Sequence, residues 1–322
     1  MTRSSLAPRA ALLSSAVVLA VLVSACATRK TPAARPTQPA ASTRTATLLA
    51  INDVYRIEGL DDAAVGGMGR VRALRQELEK TAPDLLVLHG GDFLFPSFAS
   101  RMFRGEQMIA AMNLLDGDAQ AFDRRMFVTF GNHEFERGRL KDAAMLNERI
   151  RGSQFQWLLA NATFTKDAAG APLISAPNLA RTAMVESGGL RIGLVGLMIQ
   201  TLGVEYVLGY DGEQAAARAA AAELRAQGAD VVVALTHLNA ANDRRLLREL
   251  GAAGPDLIIG GHDHEAMAEQ VDGRWLLKAD ADARSATVVR ISKDASGKVV
   301  VKPELRRLSG SAPAPDASMQ AL

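Results

Sequence analysis

Residues 126–134 read MFVTFGNHE, and the architecture can be worked out from them. An apolar, β-branched run of strand length ends in a glycine that is followed at once by polar side chains. An apolar run that ends in polar side chains occurs at four more places in the chain. The other endings are Asn52-Asp53, Gly91-Asp92, Thr236-His237 and Gly261-His262-Asp263-His264.

Strand-length apolar runs alternate with helical segments through most of the chain, which predicts an α/β fold. The predicted strands cover 45–51, 84–89, 126–130, 191–198, 230–236 and 256–261, with closing strands near 275–279 and 286–293. The predicted helices cover 71–80, 105–115, 141–150, 213–227 and 241–250. In open α/β sheets, ligands bind outside the carboxyl ends of the strands, so the five polar endings are expected to converge.

The residue types at these endings indicate a metal site. They include four of the five histidines of the chain, and imidazoles and carboxylates bind borderline divalent metals. Asp92 is the candidate carboxylate to bridge two ions. Two such ions lower the pKa of a shared water, giving a bridging hydroxide at neutral pH, and they stabilise in-line displacement at phosphorus. The pattern predicts a metal-dependent phosphohydrolase.

In this order, the five endings resemble the calcineurin-like metallophosphoesterase superfamily, and within it the 5′-nucleotidase branch, over about residues 45–300. The resemblance implies an α/β four-layer sandwich of two packed mixed β-sheets flanked by α-helices. It implies two divalent metal ions, such as Zn, Mn or Fe, and a small phosphorylated substrate. It also implies site residues: Asp53, Asp92 and His264 for one ion, Asp92, Asn132, His237 and His262 for the other, and His133 as the catalytic histidine with Glu136 beside it.

Three features depart from the family pattern. Tyr55 stands where most members have a second histidine, which leaves three roles for it open: metal ligand, hydrogen-bond donor beside the ligands, or neither. Glu136 stands where an aspartate normally orients the catalytic histidine. The full 5′-nucleotidase arrangement adds a nucleoside-gripping domain, for which the chain after the closing strands is too short, so nucleotide specificity is not implied.

Plainer interpretations exist for several of these residues. Asn132 could cap a helix, although the four other polar strand endings favour its role as a metal ligand. His89 could approach the metals, but a strand histidine is more often packed and hydrogen-bonded. Asp263 should point away from the site, because in extended chain the residue between His262 and His264 directs its side chain to the side opposite theirs. Asp280 and Asp282 could line the pocket wall or belong to an acidic surface loop.

The charge distribution excludes a nucleic-acid-binding module. The chain has 322 residues, 48% of them hydrophobic, and a formal net charge of +2. Six of its 37 basic residues lie in the first 44 residues, which hold no acid, so the remainder carries 31 basic against 35 acidic residues. The remainder therefore lacks a basic footprint for a phosphate backbone.

The N-terminus resembles an export signal of a bacterial lipoprotein. Arg3 and Arg9 precede an apolar run, and Val23-Ser24-Ala25-Cys26 resembles a lipobox. We expect a signal peptide over 1–25, a lipidated Cys26 with a flexible tether over 26–44, the catalytic domain over 45–308 and a disordered tail over 309–322. Ordinary cleavage after Ala27 also fits the small-residue rule. The lipid would place the protein at the periplasmic face of the outer membrane.

Three functions therefore remain in competition. The first is 5′-nucleotidase-like hydrolysis of a phosphomonoester or phosphodiester. The second is the same site acting on a non-nucleotide or sulfur-linked substrate. The third is a catalytically impaired binding lipoprotein, with Tyr55 and Glu136 as marks of decay.

The anchor can be tested by replacing Cys26 with serine. Because serine cannot carry the thioether-linked lipid, Cys26→Ser should move the protein from the membrane fraction to the soluble fraction. Fractionation of cells expressing both forms measures this. A variant that stays with the membranes contradicts lipid anchoring.

Overall fold

The computed structural model describes residues 44–294, 296–310 and 313–322. The predicted signal peptide and Cys26, and nearly all of the tether, lie outside these ranges. Over the described residues, no helix has the length and apolar character needed to cross a bilayer.

The strands are β1 Thr45–Ile51, β2 Leu86–His89, β3 Met126–Thr129, β4 Gln156–Leu158, β5 Ala162–Phe164, β6 Leu179–Ala180, β7 Thr182–Ser187, β8 Leu190–Met198, β9 Val207–Tyr210, β10 Val231–His237, β11 Leu257–Gly260, β12 Met267–Val271, β13 Arg274–Lys278, β14 Ser285–Lys293 and β15 Val299–Arg307.

The strands form two large mixed sheets and one short pair. The first sheet has the order β15-β14-β1-β2-β3-β4-β6, and the second has the order β12-β13-β11-β10-β8-β7. In the first sheet β1, β2, β3, β4 and β6 run parallel, and in the second β8, β10, β11 and β13 do. Antiparallel strands lie at the edges.

The helices are α1 Met68–Glu79, α2 Phe98–Phe103, α3 Glu106–Asn113, α4 Ala143–Gly152, α5 Glu213–Ala226, α6 Ala240–Leu250 and α7 Ala317–Gln320.

The two sheets pack face to face, and helices cover their outer faces. On β1, Leu48 and Ala50 point into the core shared with the second sheet, whereas Leu49 and Ile51 pack with the residues of α1 and α3. Because both faces of the central strands are covered, their sequences are continuous apolar runs rather than alternating ones. Helices α5 and α6 cover the far face of the second sheet. The four-layer α/β sandwich is therefore confirmed.

One glycine marks how closely the sheets approach each other. A Cβ on Gly196 of β8 would lie 2.2 Å from the carbonyl oxygen of Leu158 in β4. The backbone nitrogen of Ala160 also donates to the carbonyl of Gly196 across the same interface. No larger residue fits at this point without moving a strand.

The C-terminal residues differ from the disordered tail that the composition predicts. Over 313–322 the chain forms α7, whose Met319 is buried, and Asp316 makes a 3.0 Å ion pair with Arg72 of α1. Asp316 also caps α7 by accepting a hydrogen bond from the Met319 nitrogen. The buried Met319 and the mostly buried ion pair hold this segment against α1, although its sequence is rich in alanine and proline.

Candidate metal centre

The six predicted ligands lie where the carboxyl ends of both sheets meet. The first sheet supplies three of them after β1, β2 and β3, and the second supplies three at or after the ends of β10 and β11. In chain order they are Asp53, Asp92, Asn132, His237, His262 and His264. The parallel strands that carry them end at the same edge, which explains why residues far apart in sequence come together.

Short distances link these side chains across the two sheets. Asp53, Asp92 and His237 each offer a ligand atom within 4.8 Å of the others. His264 Nε2 lies 3.3 Å from Asp53 Oδ1. His262 Nδ1 lies 3.1 Å from Asn132 Oδ1, which makes no helix-capping bond. All six predicted residues therefore face one region.

Four of the six residues have left-handed backbone, which non-glycine residues adopt at a cost. Their φ angles are 52° at Asp53, 61° at Asp92, 83° at His262 and 62° at His264. Each such residue costs on the order of 1 kcal/mol and persists only where its surroundings fix it. Four of the eleven non-glycine residues with positive φ in the described part of the chain thus belong to the set of six predicted ligands.

Two glycines leave the space that this convergence requires. A Cβ on Gly131 would lie 2.1 Å from Asp92 Oδ1 and 2.7 Å from His237 Cε1. A Cβ on Gly91, whose φ is 85°, would lie 2.7 Å from the Gly131 nitrogen. Any side chain at either position would push Asp92 or the adjoining turn out of place.

The chemistry of His237 fits a metal ligand. Its Nδ1 lies 2.7 Å from the carbonyl oxygen of Gly90, which can only accept, so this nitrogen carries the proton. The Nε2 atom is buried and lacks a hydrogen-bond partner of good geometry, although it lies 3.1 Å from Asp92 Oδ2. Two potential ligand atoms thus face a common point rather than each other, an arrangement that a divalent cation would satisfy.

Asp53 keeps its negative charge at neutral pH although it is buried. Burial alone would raise the pKa of Asp53, but the hydrogen bond with His264 and the charge of His237 outweigh it and lower the pKa to about 2. Burial lowers the pKa of His237, but the adjacent Asp92 outweighs it and raises the pKa to about 9. Without a bound cation the two carboxylates thus stabilise a proton on His237, and a metal ion at the site would take the place of that proton.

Tyr55 contacts the centre directly, which removes the possibility that it is a bystander. Its hydroxyl lies 3.3 Å from both Asp53 Oδ1 and Asp92 Oδ2 and 3.0 Å from His264 Nε2. Burial, and then the charges of Asp92 and Asp53, raise the pKa of Tyr55 far above its usual range. The phenol therefore keeps its proton and can donate it to either carboxylate, which leaves hydrogen-bond donor and metal ligand as the two roles for Tyr55.

Glu134 fixes the loop that carries Asp92, a role that the sequence did not reveal. Its buried carboxylate accepts hydrogen bonds from the backbone nitrogens of Asp92, Phe93, Leu94 and Gly131 at 2.6–3.1 Å. Burial and the charge of Asp92 raise the pKa of Glu134. The glutamate of the Gly-Asn-His-Glu segment thus holds two ligand-bearing turns together.

His133 and Glu136 form a pair at the edge of the centre. His133 Nδ1 donates to Glu136 Oε1 at 2.6 Å, so the longer side chain of glutamate does reach the imidazole. His133 Nε2 lies on the metal side, 3.9 Å from Asp92 Oδ2. The histidine is part-exposed, as a group that meets a substrate must be.

Two neighbouring residues behave as the plainer interpretations predict. His89 is fully buried, its Nδ1 accepts from the Gly91 nitrogen, and burial lowers its pKa to about 3. Asp263 points away from the centre and contacts Lys278 Nζ at 2.5 Å. Neither adds a ligand.

A buried lysine supports the turn that carries His262 and His264. Lys278, the last residue of β13, is 1% exposed, and its Nζ donates to the carbonyls of Leu238 and Gly261, each at 2.7 Å. The same ammonium lies 2.7 Å from Asp243 and contacts Asp263. Burial raises the pKa of Asp243 to about 6, although Lys278 opposes this. No sequence pattern indicates this cluster, because a lysine after an apolar strand is usually solvent-exposed.

Comparisons with known proteins agree with this geometry. The model of the calcineurin-like phosphoesterase family matches residues 46–266. A protein named probable 5′-nucleotidase, from Treponema pallidum, is 30% identical over 228 residues, which cover 66% of this chain and 33% of that protein. The chain thus spans about a third of the length of this curated relative.

Two solved structures share the fold. The 5′-nucleotidase precursor from Thermus thermophilus superposes with a TM-score of 0.71 at 24% identity, covering 86% of this chain and 57% of that one. The calcineurin-like phosphoesterase YfkN from Bacillus subtilis gives a TM-score of 0.67 at 18% identity, covering 87% and 95%. Since the family model spans well over half of the residues, this chain belongs to the calcineurin-like phosphoesterase family, and the proteins similar to it include 5′-nucleotidases.

Proposed function

We propose that the protein is a metal-dependent phosphohydrolase that acts on a small phosphate ester through two divalent ions. The observation that carries the proposal is the convergence of Asp53, Asp92 and His237 within 4.8 Å at the junction of the two sheets. Nucleotide-like esters are the first substrates to test, because a similar protein is named a 5′-nucleotidase.

The pairing of side chains suggests how the ligands divide between the ions. His264 Nε2 contacts Asp53, and His262 Nδ1 contacts Asn132, so these four side chains form two pairs. His237 lies next to Asp92 itself. We assign Asp53, Asp92 and His264 to one ion and Asp92, Asn132, His237 and His262 to the other, with Asp92 as the bridge. When bound, such ions turn a shared water into hydroxide at neutral pH and stabilise charge on the phosphoryl oxygens.

The residues around the ligands hold them and move a proton. Glu134 holds the turn that carries Asp92, and Lys278 holds the turn that carries His262 and His264. Glu136 fixes the Nδ1 proton of His133, so Nε2 faces the substrate. In its imidazolium form, with hydrogen on both nitrogens, His133 can donate the Nε2 proton to the leaving oxygen as the bond to phosphorus breaks, and it is then left neutral with its Nδ1 proton hydrogen-bonded to Glu136.

We also propose that the protein works at the periplasmic face of the outer membrane, anchored through Cys26. The support for this is the lipobox-like Val23-Ser24-Ala25-Cys26, which lies outside the described residues.

Asp92→Asn tests the metal mechanism. Loss of the bridging carboxylate should lower activity on p-nitrophenyl phosphate by at least about a thousandfold, since metal stabilisation of the transition state is worth several kcal/mol. Elemental analysis should find near two ions per wild-type chain and fewer in the variant. Asp62→Asn is the matched control, because Asp62 is exposed and shares the left-handed backbone. Full activity of Asp92→Asn, or a metal-free wild type, would favour the binding lipoprotein instead.

Glu136→Gln tests the proton-transfer pair. The amide oxygen can still accept from Nδ1, but it carries no negative charge to stabilise the imidazolium form of His133, so kcat should fall roughly tenfold to a hundredfold while metal content stays unchanged. Glu136→Asp, which introduces the residue usual in the family, should stay within a few-fold of wild type. Equal kcat in Glu136→Gln and wild type would remove Glu136 from the mechanism.

Tyr55→Phe separates the two roles left for the tyrosine. We expect the variant to keep the metal stoichiometry of the wild type but to bind metal about tenfold more weakly, because it loses a donor to Asp53 and Asp92. Competitive titration with a chelator measures the affinity. Loss of one ion per chain would show instead that the phenol is a ligand. Tyr55→His, which supplies the missing imidazole, is the comparison variant.

A further inference from the structure

One aromatic side chain near the metal centre is left in solvent. Phe98, the first residue of α2, is 80% exposed, whereas Phe93, Phe95, Phe130 and Phe135 in the neighbouring segments are at most 2% exposed. Leaving a phenylalanine in water forgoes about 2 kcal/mol of burial free energy. Single exposed apolar residues are common, so position and surroundings must decide whether this one has a role.

Phe98 is held firmly, because the chain between it and Asp92 is fixed at both ends. Glu134 accepts from the Asp92 and Leu94 nitrogens at the start of this segment. At its end, Ser97 caps α2 by accepting from the Ser100 nitrogen. The ring therefore projects from a rigid support that begins at a predicted metal ligand, so little conformational entropy remains to be lost when a ligand packs against it.

The ring of Phe98 borders a cleft that also reaches Tyr55. The cleft has a volume of about 540 Å³ and is lined on its apolar side by Tyr55, Ile57, Pro96, Phe98 and Met108. Tyr55 belongs to both places, because its hydroxyl contacts Asp53, Asp92 and His264. A phosphate ester with its phosphorus at the metal centre can therefore direct its organic part along Tyr55 into this cleft.

The rim of the cleft adds hydrogen-bonding groups to the apolar wall. Arg56 and Glu58 are exposed there, and neither has an ion-pair partner among the described residues. Asp282 lines the same cleft, and its Oδ1 accepts from the Tyr55 nitrogen, which fixes the wall. An apolar wall with a few polar groups at its rim suits a planar, heteroatom-bearing ring better than an alkyl chain or a bare sugar.

We propose that this cleft binds the leaving group of the substrate as an aromatic ring, of the nucleobase or aryl class, packed against Phe98. The inference rests on the proposed function, because it takes the metal centre as the place where phosphorus lies. Stacking on an exposed aromatic strengthens binding by about fivefold to 150-fold per ring, and a tenfold effect, about 1.4 kcal/mol, lies at the lower end of this range.

Binding of non-hydrolysable probes to the metal-loaded full chain tests the inference. Phenylphosphonate carries an aromatic ring and methylphosphonate does not, and isothermal titration calorimetry gives both affinities without turnover. We expect Phe98→Ala to weaken phenylphosphonate binding about tenfold and to leave methylphosphonate unchanged. Phe98→Trp should retain the preference for phenylphosphonate.

Phe103→Ala is the matched control. Phe103 lies on the same helix and is 61% exposed, but it lines the adjoining cleft beside Met319 and Leu322 and not the cleft that Tyr55 and Phe98 line. It should bind both probes as the wild type does. The inference is overturned if Phe98→Ala weakens both probes equally, if Phe103→Ala has the same effect, or if the wild type binds phenylphosphonate no more tightly than methylphosphonate.

Hydrolysis assays separate failure of this inference from failure of the proposed function. A wild type that cleaves neither phenyl phosphate nor glycerol phosphate with any divalent metal contradicts the proposed function. A wild type that cleaves both, with Phe98→Ala equal to it in kcat/KM for phenyl phosphate, contradicts only the aromatic subsite. The expected result is a loss of about tenfold in kcat/KM for phenyl phosphate and none for glycerol phosphate.

Discussion

Two carboxylates at the junction of the sheets, Asp53 and Asp92, are almost fully buried, and the rest of the site is arranged around them. A buried ionised carboxylate is costly unless positive charge or donors compensate it. Asn52, Tyr55 and the His262 backbone supply donors to Asp53, and the His133 backbone supplies one to Asp92. These donors do not neutralise both charges, so the two carboxylates stabilise positive charge beside them, supplied by protonated His237 or by a bound cation that replaces its proton.

The sheet architecture makes that concentration of charge possible. Strands β1, β2 and β3 of one sheet and β10 and β11 of the other end at a shared edge, and the close approach at Gly196 brings the sheets together. A single sheet would present its ligands along a line. Two stacked sheets present them from both sides of a point, which is what a pair of ions needs.

Much of this could be predicted from the sequence, and the limits have physical causes. Buried central strands are long apolar runs, so β1, β10 and β14 can be located nearly to the residue, and α5 can be located from its alanine-rich periodicity. The polar endings of those strands are equally visible, which identifies the six convergent residues. Edge strands such as β12 and β15 are half-exposed and carry no such run, and α2 is too short to show a helical period.

The supporting contacts were out of reach for a different reason. Glu134 is visible only as part of a family segment, and nothing in the sequence indicates that its carboxylate holds four backbone nitrogens. The docking of α7 depends on Met319 and Asp316 meeting α1, a contact between residues more than 200 positions apart. Local composition predicts disorder for this segment, because composition contains no information on its contacts with α1.

The cluster around Lys278 constrains how this protein can change over evolutionary time. Its ammonium lies against two acids, Asp243, which is fully buried with it, and Asp263, which is partly exposed. Removing one member of a buried ion group costs about 3–5 kcal/mol, whereas replacing the whole group by neutral residues can cost little. Lineages descended from a common ancestor should therefore keep the charges of Lys278 and Asp243 together or lose them together, whereas the partly exposed Asp263 is freer to change.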